Sequence, residues 1–143
     1  MSIISVVDSF SEFPGLRNCN ISDKSGEEFY HKVLNNEFYT VFIAGVKLTV
    51  NLDCTSGYAP SFLDEAFGNL VYDFTLKNVK NHIEIISDQE PHWKEMIERE
   101  TYNQWENRRK EGKHPTVTAV HPAWWRIVDN TPLLRIWESI SAV

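Results

Sequence analysis

The sequence predicts an α/β fold: a small mixed sheet flanked by helices, with an aromatic-rich C-terminal extension. Three observations carry that reading. Short β-branched or alternating segments exchange with helical ones in the order β-α-β-α-β-α, which favours a layered α/β arrangement. The helical segments gather their apolar residues on one face. From Lys113 onward the pattern breaks and tryptophan concentrates. A chain of 143 residues suits one domain, which we place at residues 1–112. Residues 113–143 form the extension, either packed on that domain or serving as an interface.

Taken in order, "SIISVVDSF" is rich in β-branched residues and suits a first strand. "SEFPGLRN" holds a Pro-Gly turn. "SGEEFYHKVLNNEF" is helical, with Ser25 as its cap and Glu28 at capping-box spacing. "GVKLTVNLD" alternates Val46, Leu48, Val50 and Leu52 with Lys47, Thr49 and Asn51, a period-2 strand with one apolar face. After the loop "CTSGYAP", the segment "SFLDEAFGNLV" carries a helical stripe of Phe62, Leu63, Ala66, Phe67, Leu70 and Val71. "HIEIIS" from His82 is a further strand, and "PHWKEMIERETYNQWENRRK" a long helix opened by Pro91. In the extension, "HPTVTAV" reads as a strand. "HPAWWRIVDNTPLLRIWESISAV" reads as one or two short amphipathic helices broken near Pro132.

Bulk chemistry excludes several functions. Twenty acidic residues against 14 basic give a net charge of -6, which disfavours nucleic acid and anionic membranes as partners. The basic cluster Arg108 to Lys113 suits a solvated helix end. No apolar run approaches the roughly 20 residues that span a bilayer. Two cysteines, Cys19 and Cys54, are few for a disulfide-built fold. The opening "MSIISVVDSF" lacks the basic start of a signal peptide. A cytoplasmic protein with reduced thiols is the expectation. His31, His82, His92, His114 and His121 show no metal-ligand spacing with the cysteines, and neither a phosphate-binding nor a dinucleotide glycine loop is present. No cofactor and no metal is expected.

"SGEEFYHKVL", "GVKLTVNLD" and "SFLDEAFGNLV", in that order and spacing, resemble the bacterial STAS-like family, related to sulfate-transporter and anti-sigma-factor-antagonist domains. The resemblance covers about Pro14 to Ser87. It implies a small sheet flanked by helices and a regulatory, partner-switching role. It also implies a protein partner of the histidine-kinase-like ATPase class. In the antagonists a strand leads through an Asp-Ser-Ser-Gly turn into a helix, and one serine of the turn is phosphorylated. Here Ser61 lies at the matching place, while Ala59 and Pro60 replace the Asp and first Ser, and Phe62 replaces the Gly.

The residues themselves admit a plainer reading. Ser61 suits an N-cap accepting from the backbone N–H near Asp64, stabilising the helix by about 1 kcal/mol. Asp64 and Glu65 suit the positive end of the helix dipole, or recognition of a partner. Adjacent helical positions point about 100° apart, so the two carboxylates do not converge as a catalytic pair. Gly68 costs roughly 1 kcal/mol inside a helix, which close packing on a strand, or the close approach of a partner, would offset. Trp124, Trp125 and Trp137 suit either a cap on an exposed side of the sheet or a binding surface.

The resulting expectation is a noncatalytic regulatory protein-binding module. Its contacts are Ser61, Asp64, Glu65, Gly68, Trp124, Trp125 and Trp137, with Ser61 a phosphorylation site. One alternative is a phage- or defence-related assembly or inhibitor protein acting through the aromatic segment, with self-association there. Another is an enzyme using the Ser61/Asp64/Glu65 edge.

Overall fold

A computed structural model describes residues 2–136. Three strands, β1 (Ser2–Ser5), β2 (Leu48–Asn51) and β3 (Ile83–Ile86), form a sheet in the order β1-β2-β3, parallel throughout. Ile4, Val50 and Ile85 lie in register across it and are buried with Leu48 and Ile83. Ile3 and Glu84, on the opposite face by strand alternation, are exposed. Parallel neighbours need crossover connections, and helices supply both.

The first strand is shorter than its β-branched run suggests, because Val6–Ser9 turn into the short helix α1. The second helical segment runs as α2 (Gly26–Phe29), a π-helical turn (Tyr30–Leu34) and α3 (Asn35–Ala44). Ser25 caps it as expected, its Oγ accepting from Glu28 N at 3.0 Å. The wider π turn carries Tyr30, His31 and Leu34 into the interior. Gly45, at φ +71°, closes α3 in the left-handed conformation that glycine adopts without a Cβ clash.

Between β2 and β3 lie α4 (Pro60–Phe74) and α5 (Leu76–His82). The expected cap of α4 is corrected. Ala59 is the N-cap and Pro60 the first helical residue, so Ser61 sits inside the first turn and its hydroxyl makes no capping bond. Proline is pre-set for that first position and needs no N–H partner there, which moves the start one step ahead of the serine. The expected stripe is also wider than predicted: from Glu65 to Phe74 every residue of α4 is buried. Such a helix is the centre of its layer rather than a surface element. It packs between α2 on one side and α7 on another.

The long third helix runs as α6 (Pro91–Met96), a second π turn (Ile97–Thr101) and α7 (Tyr102–Lys110). Gly68 meets it. A Cβ on Gly68 would stand 2.1 Å from Trp105 Cε2. The partner that requires this glycine is therefore a helix, not the strand the sequence suggested. Gly26 plays a similar part, since a Cβ there would stand 2.3 Å from Phe62 O of α4.

Among the described residues the expected C-terminal helices are not observed. Trp124–Val128 (β4) and Thr131–Arg135 (β5) form an antiparallel hairpin. Asp129 and Asn130 turn it, both at positive φ, the two-residue geometry that matches strand twist. "HPTVTAV" runs without strand pairing. Trp137 lies outside the described residues. Among the described residues no helix is long and apolar enough to cross a membrane.

Candidate functional site

The first turn of α4 opens onto a groove of about 470 Å³. Pro60, Ser61 and Asp64 form one wall and Met96, Glu100, Thr101 and Gln104 the other, with Arg17 at its edge. The second π turn shapes the far wall by turning Thr101 inward and leaving Glu100 exposed. Ser61 is half-buried and Gln104 exposed.

Arg17 ties the groove to the interior. Its Nη1 donates to Asp64 Oδ2 at 2.8 Å and to Glu65 Oε1 at 3.1 Å. Glu65 is buried, and Asn69 Nδ2 donates to its Oε2 at 2.8 Å. Burial raises the Glu65 carboxyl above its ordinary range, opposed by the bonds from Asn69 and Arg17. The two acids therefore divide: Asp64 faces the groove, while Glu65 belongs to the core. This corrects the expected acidic edge, since Glu65 offers no surface to a partner. Gly68 and Trp124 are buried too, which removes them from the expected contact surface. Trp125 is half-buried, its ring stacked on Tyr39 at 3.7 Å with 2° between planes.

Two buried polar clusters join the C-terminal segment to the helices. In the first, Glu27 Oε1 accepts from Thr118 Oγ1, Cys19 N and Asn18 Nδ2. Its Oε2 lies 3.0 Å from Thr118 N and 2.6 Å from His121 Nε2. Burial opposes the Glu27 charge, but the bonds from His121, Thr118 and Cys19 N outweigh it and hold the carboxyl below the usual range. His31 stacks on His121 at 4.2 Å between ring centres. Burial, with His121 beside it, lowers the His31 pKa to about 3. Cys19 Sγ lies 3.3 Å from Ser25 Oγ. Burial, only partly opposed by that contact, pushes its thiol up to about 11. One ligand atom each from Cys19, Glu27 and His121 lie within 4.8 Å of one another.

In the second cluster Asp73 accepts from Tyr30 Oη and from Arg126 Nε, each at 2.5 Å. Asn35 Nδ2 donates to Tyr30 Oη and to Trp125 O, and its Oδ1 accepts from Trp125 N. Burial raises the Asp73 carboxyl, opposed chiefly by Arg126. Glu65, Asn69 and Asp73 recur every fourth residue and form a polar ridge along the buried α4. That i, i+4, i+8 spacing was visible in the sequence. Their partners Arg17, Arg126 and Tyr30 were not, because each contact joins distant segments.

With this geometry in place, comparison with known families is specific. Residues 25–93 match the family described as a STAS-like domain of unknown function. This segment is a STAS-like domain. The match begins at the Ser25 cap and ends at Trp93 in α6, so it takes in the Ser61 wall of the groove. The far wall, from Met96 to Gln104, lies beyond it, as do Arg17 and the C-terminal hairpin. No curated protein and no solved structure matches the chain.

Proposed function

We propose that this STAS-like protein is a noncatalytic regulatory binding module of the cytoplasm that docks a protein partner in the groove at the start of α4. The observation that carries the reading is the position of Ser61. The helix that follows β2 presents this serine in its first turn, freed from the capping role by Pro60 and facing a groove wide enough to receive a side chain or loop. The groove mixes apolar Met96 and Pro60 with charged Arg17, Asp64 and Glu100, a composition suited to recognising a protein segment rather than holding a reacting group. By its resemblance to the antagonist domains, the partner is a histidine-kinase-like ATPase and Ser61 its phosphoacceptor. A phosphate there would meet the positive end of α4 and would compete with Asp64 for Arg17.

The test is affinity capture from native cells followed by identification of the bound protein, using wild type, Ser61→Arg/Gln104→Arg and Glu84→Lys. The first variant fills the groove with bulk and charge, and the second changes the exposed sheet face. Loss of one partner with the groove variant, at least tenfold, and its retention with Glu84→Lys is the expected result. Equal capture by a folded groove variant overturns the docking site. Intact mass of native protein checks Ser61 phosphorylation, and a Ser61→Ala sample carrying the same added mass would remove the serine from the reading.

A further inference from the structure

We propose that Cys19, Glu27 and His121 form a binding site for a borderline-soft divalent cation, zinc being the best fit. The three residues come from separate parts of the chain: the loop before α2, the first turn of α2, and the segment leading into β4. They offer a sulfur, an oxygen and a nitrogen donor within 4.8 Å of one another. Around a tetrahedral zinc ion, bonds of roughly 2.0–2.3 Å place ligand atoms about 3.3–3.8 Å apart. Separations of up to 4.8 Å need to shorten by about 1–1.5 Å, while Glu27 Oε2 and His121 Nε2, now 2.6 Å apart, need to part by about 0.7 Å. Glu27 and His121 are buried while Cys19 is partly exposed, so the ion has an approach from solvent and a preformed floor.

The donor set discriminates among metals. A thiolate with an imidazole and a single carboxylate suits zinc, whereas magnesium and calcium take sets of oxygen ligands. The surroundings already orient the ligands, as supporting hydrogen bonds do in metal sites. Glu27 Oε1 is fixed by Asn18, Cys19 N and Thr118 Oγ1, while Oε2 accepts from Thr118 N at 3.0 Å and faces His121 Nε2 at 2.6 Å. A metal bridging those two atoms would replace their hydrogen bond. The imidazole plane is set by the stack on His31. For the fourth position Glu28 Oε2 stands 3.9 Å from Cys19 Sγ, and solvent can reach the sulfur. Two carboxylates beside one thiol concentrate negative charge that a dication would neutralise. Binding expels the Cys19 thiol proton to solvent and bonds the sulfur to the metal. The histidine then carries any remaining ring proton on Nδ1. Because His121 belongs to the C-terminal segment, the ion would clip that segment to α2 and raise stability logarithmically with free metal above its Kd.

The test uses the full chain, stripped with chelator and titrated with cobalt(II) alone. The expected result is a near-ultraviolet sulfur-to-cobalt charge-transfer band with visible tetrahedral bands, saturating at one equivalent and displaced by zinc. Cys19→Ser, at a partly exposed position, should remain folded by circular dichroism, lose the charge-transfer band and bind zinc at least tenfold more weakly. Cys54→Ser, which alters an exposed thiol elsewhere, should bind like wild type. Absence of the charge-transfer band in wild type, or equal zinc affinity in wild type and Cys19→Ser, overturns the site.

Discussion

A single residue can act through one neighbour, and Gly68 shows how sharply. Alanine is the better helix former by about 1 kcal/mol, so propensity alone favours Gly68→Ala. The packing argues the other way, because the new methyl would stand 2.1–2.3 Å from three atoms of the Trp105 indole. Trp105 is itself almost fully buried, with Arg108 over its face at 4.1 Å, so it has little room to retreat. Overpacking of this kind costs about 1–3 kcal/mol, and it outweighs the helix gain. Gly68→Ala should therefore lower stability by up to about 2 kcal/mol in urea denaturation. In a Trp105→Leu background the same substitution should become neutral or favourable. A cost for Gly68→Ala that is unchanged by Trp105→Leu would show that the two residues do not couple. The glycine was legible as an anomaly from helix propensity alone. Its partner was not, because nothing local in the sequence says which distant surface comes close.

Among the elements, the C-terminal hairpin depends most on contacts the sequence conceals. Its strands have apolar residues at spacings that fit a helix as well as a strand, and Pro132 reads as a helix break. In the hairpin Pro132 sits on an edge strand, where the missing N–H is tolerated. The Asp129-Asn130 turn was the local signal for a hairpin. The Ser25 cap, the helices and the three strands of the sheet were legible because their signals are local: a capping spacing, a 3.6-residue stripe, an alternation; the π turns and the parallel pairing carried no such signal. The clusters around Glu27 and Asp73 were not legible, since each joins residues far apart in sequence. Asn35 holds β4 by bonding both the N–H and the C=O of Trp125, much as another strand would. Asn35→Ala would leave these groups and Tyr30 Oη short of partners, at about 2–4 kcal/mol. The hairpin should detach before the domain unfolds, seen as faster proteolysis within residues 113–123 while the far-ultraviolet helix signal persists. Equal cleavage rates in the variant and wild type would show that Tyr39 and Arg126 suffice to hold β4.

For the whole molecule, the buried tyrosines set a limit on the alkaline side. Tyr30, Tyr58 and Tyr102 are all at least nine-tenths enclosed. Burial, and Asp73 beside it, raises the Tyr30 phenol well above its ordinary value. Burial pushes Tyr58 up to about 12, its hydroxyl donating to Leu52 O at 2.7 Å. Burial raises Tyr102 as well. In the unfolded chain all three ionise near pH 10. Folded phenols with raised pKa keep their protons longer, so their contribution to stability is complete below pH 10 and is lost as pH climbs through the folded values. With three protons released only on unfolding, the slope approaches about 4 kcal/mol per pH unit at its steepest. The three tyrosines come from α2–α3, the loop before α4, and α7, so no single element can open to let all of them ionise. In a Tyr39→Phe/Tyr72→Phe background, which leaves these three phenols of the five, phenolate absorbance should therefore rise together with loss of the far-ultraviolet helix signal, in one step between about pH 10 and 12. Tyr58→Phe should make that step shallower at the cost of the bond to Leu52. Phenolates that form while the helix signal is intact would mean the layers around α4 part separately, and the core would then have to be described as more than one cooperative unit.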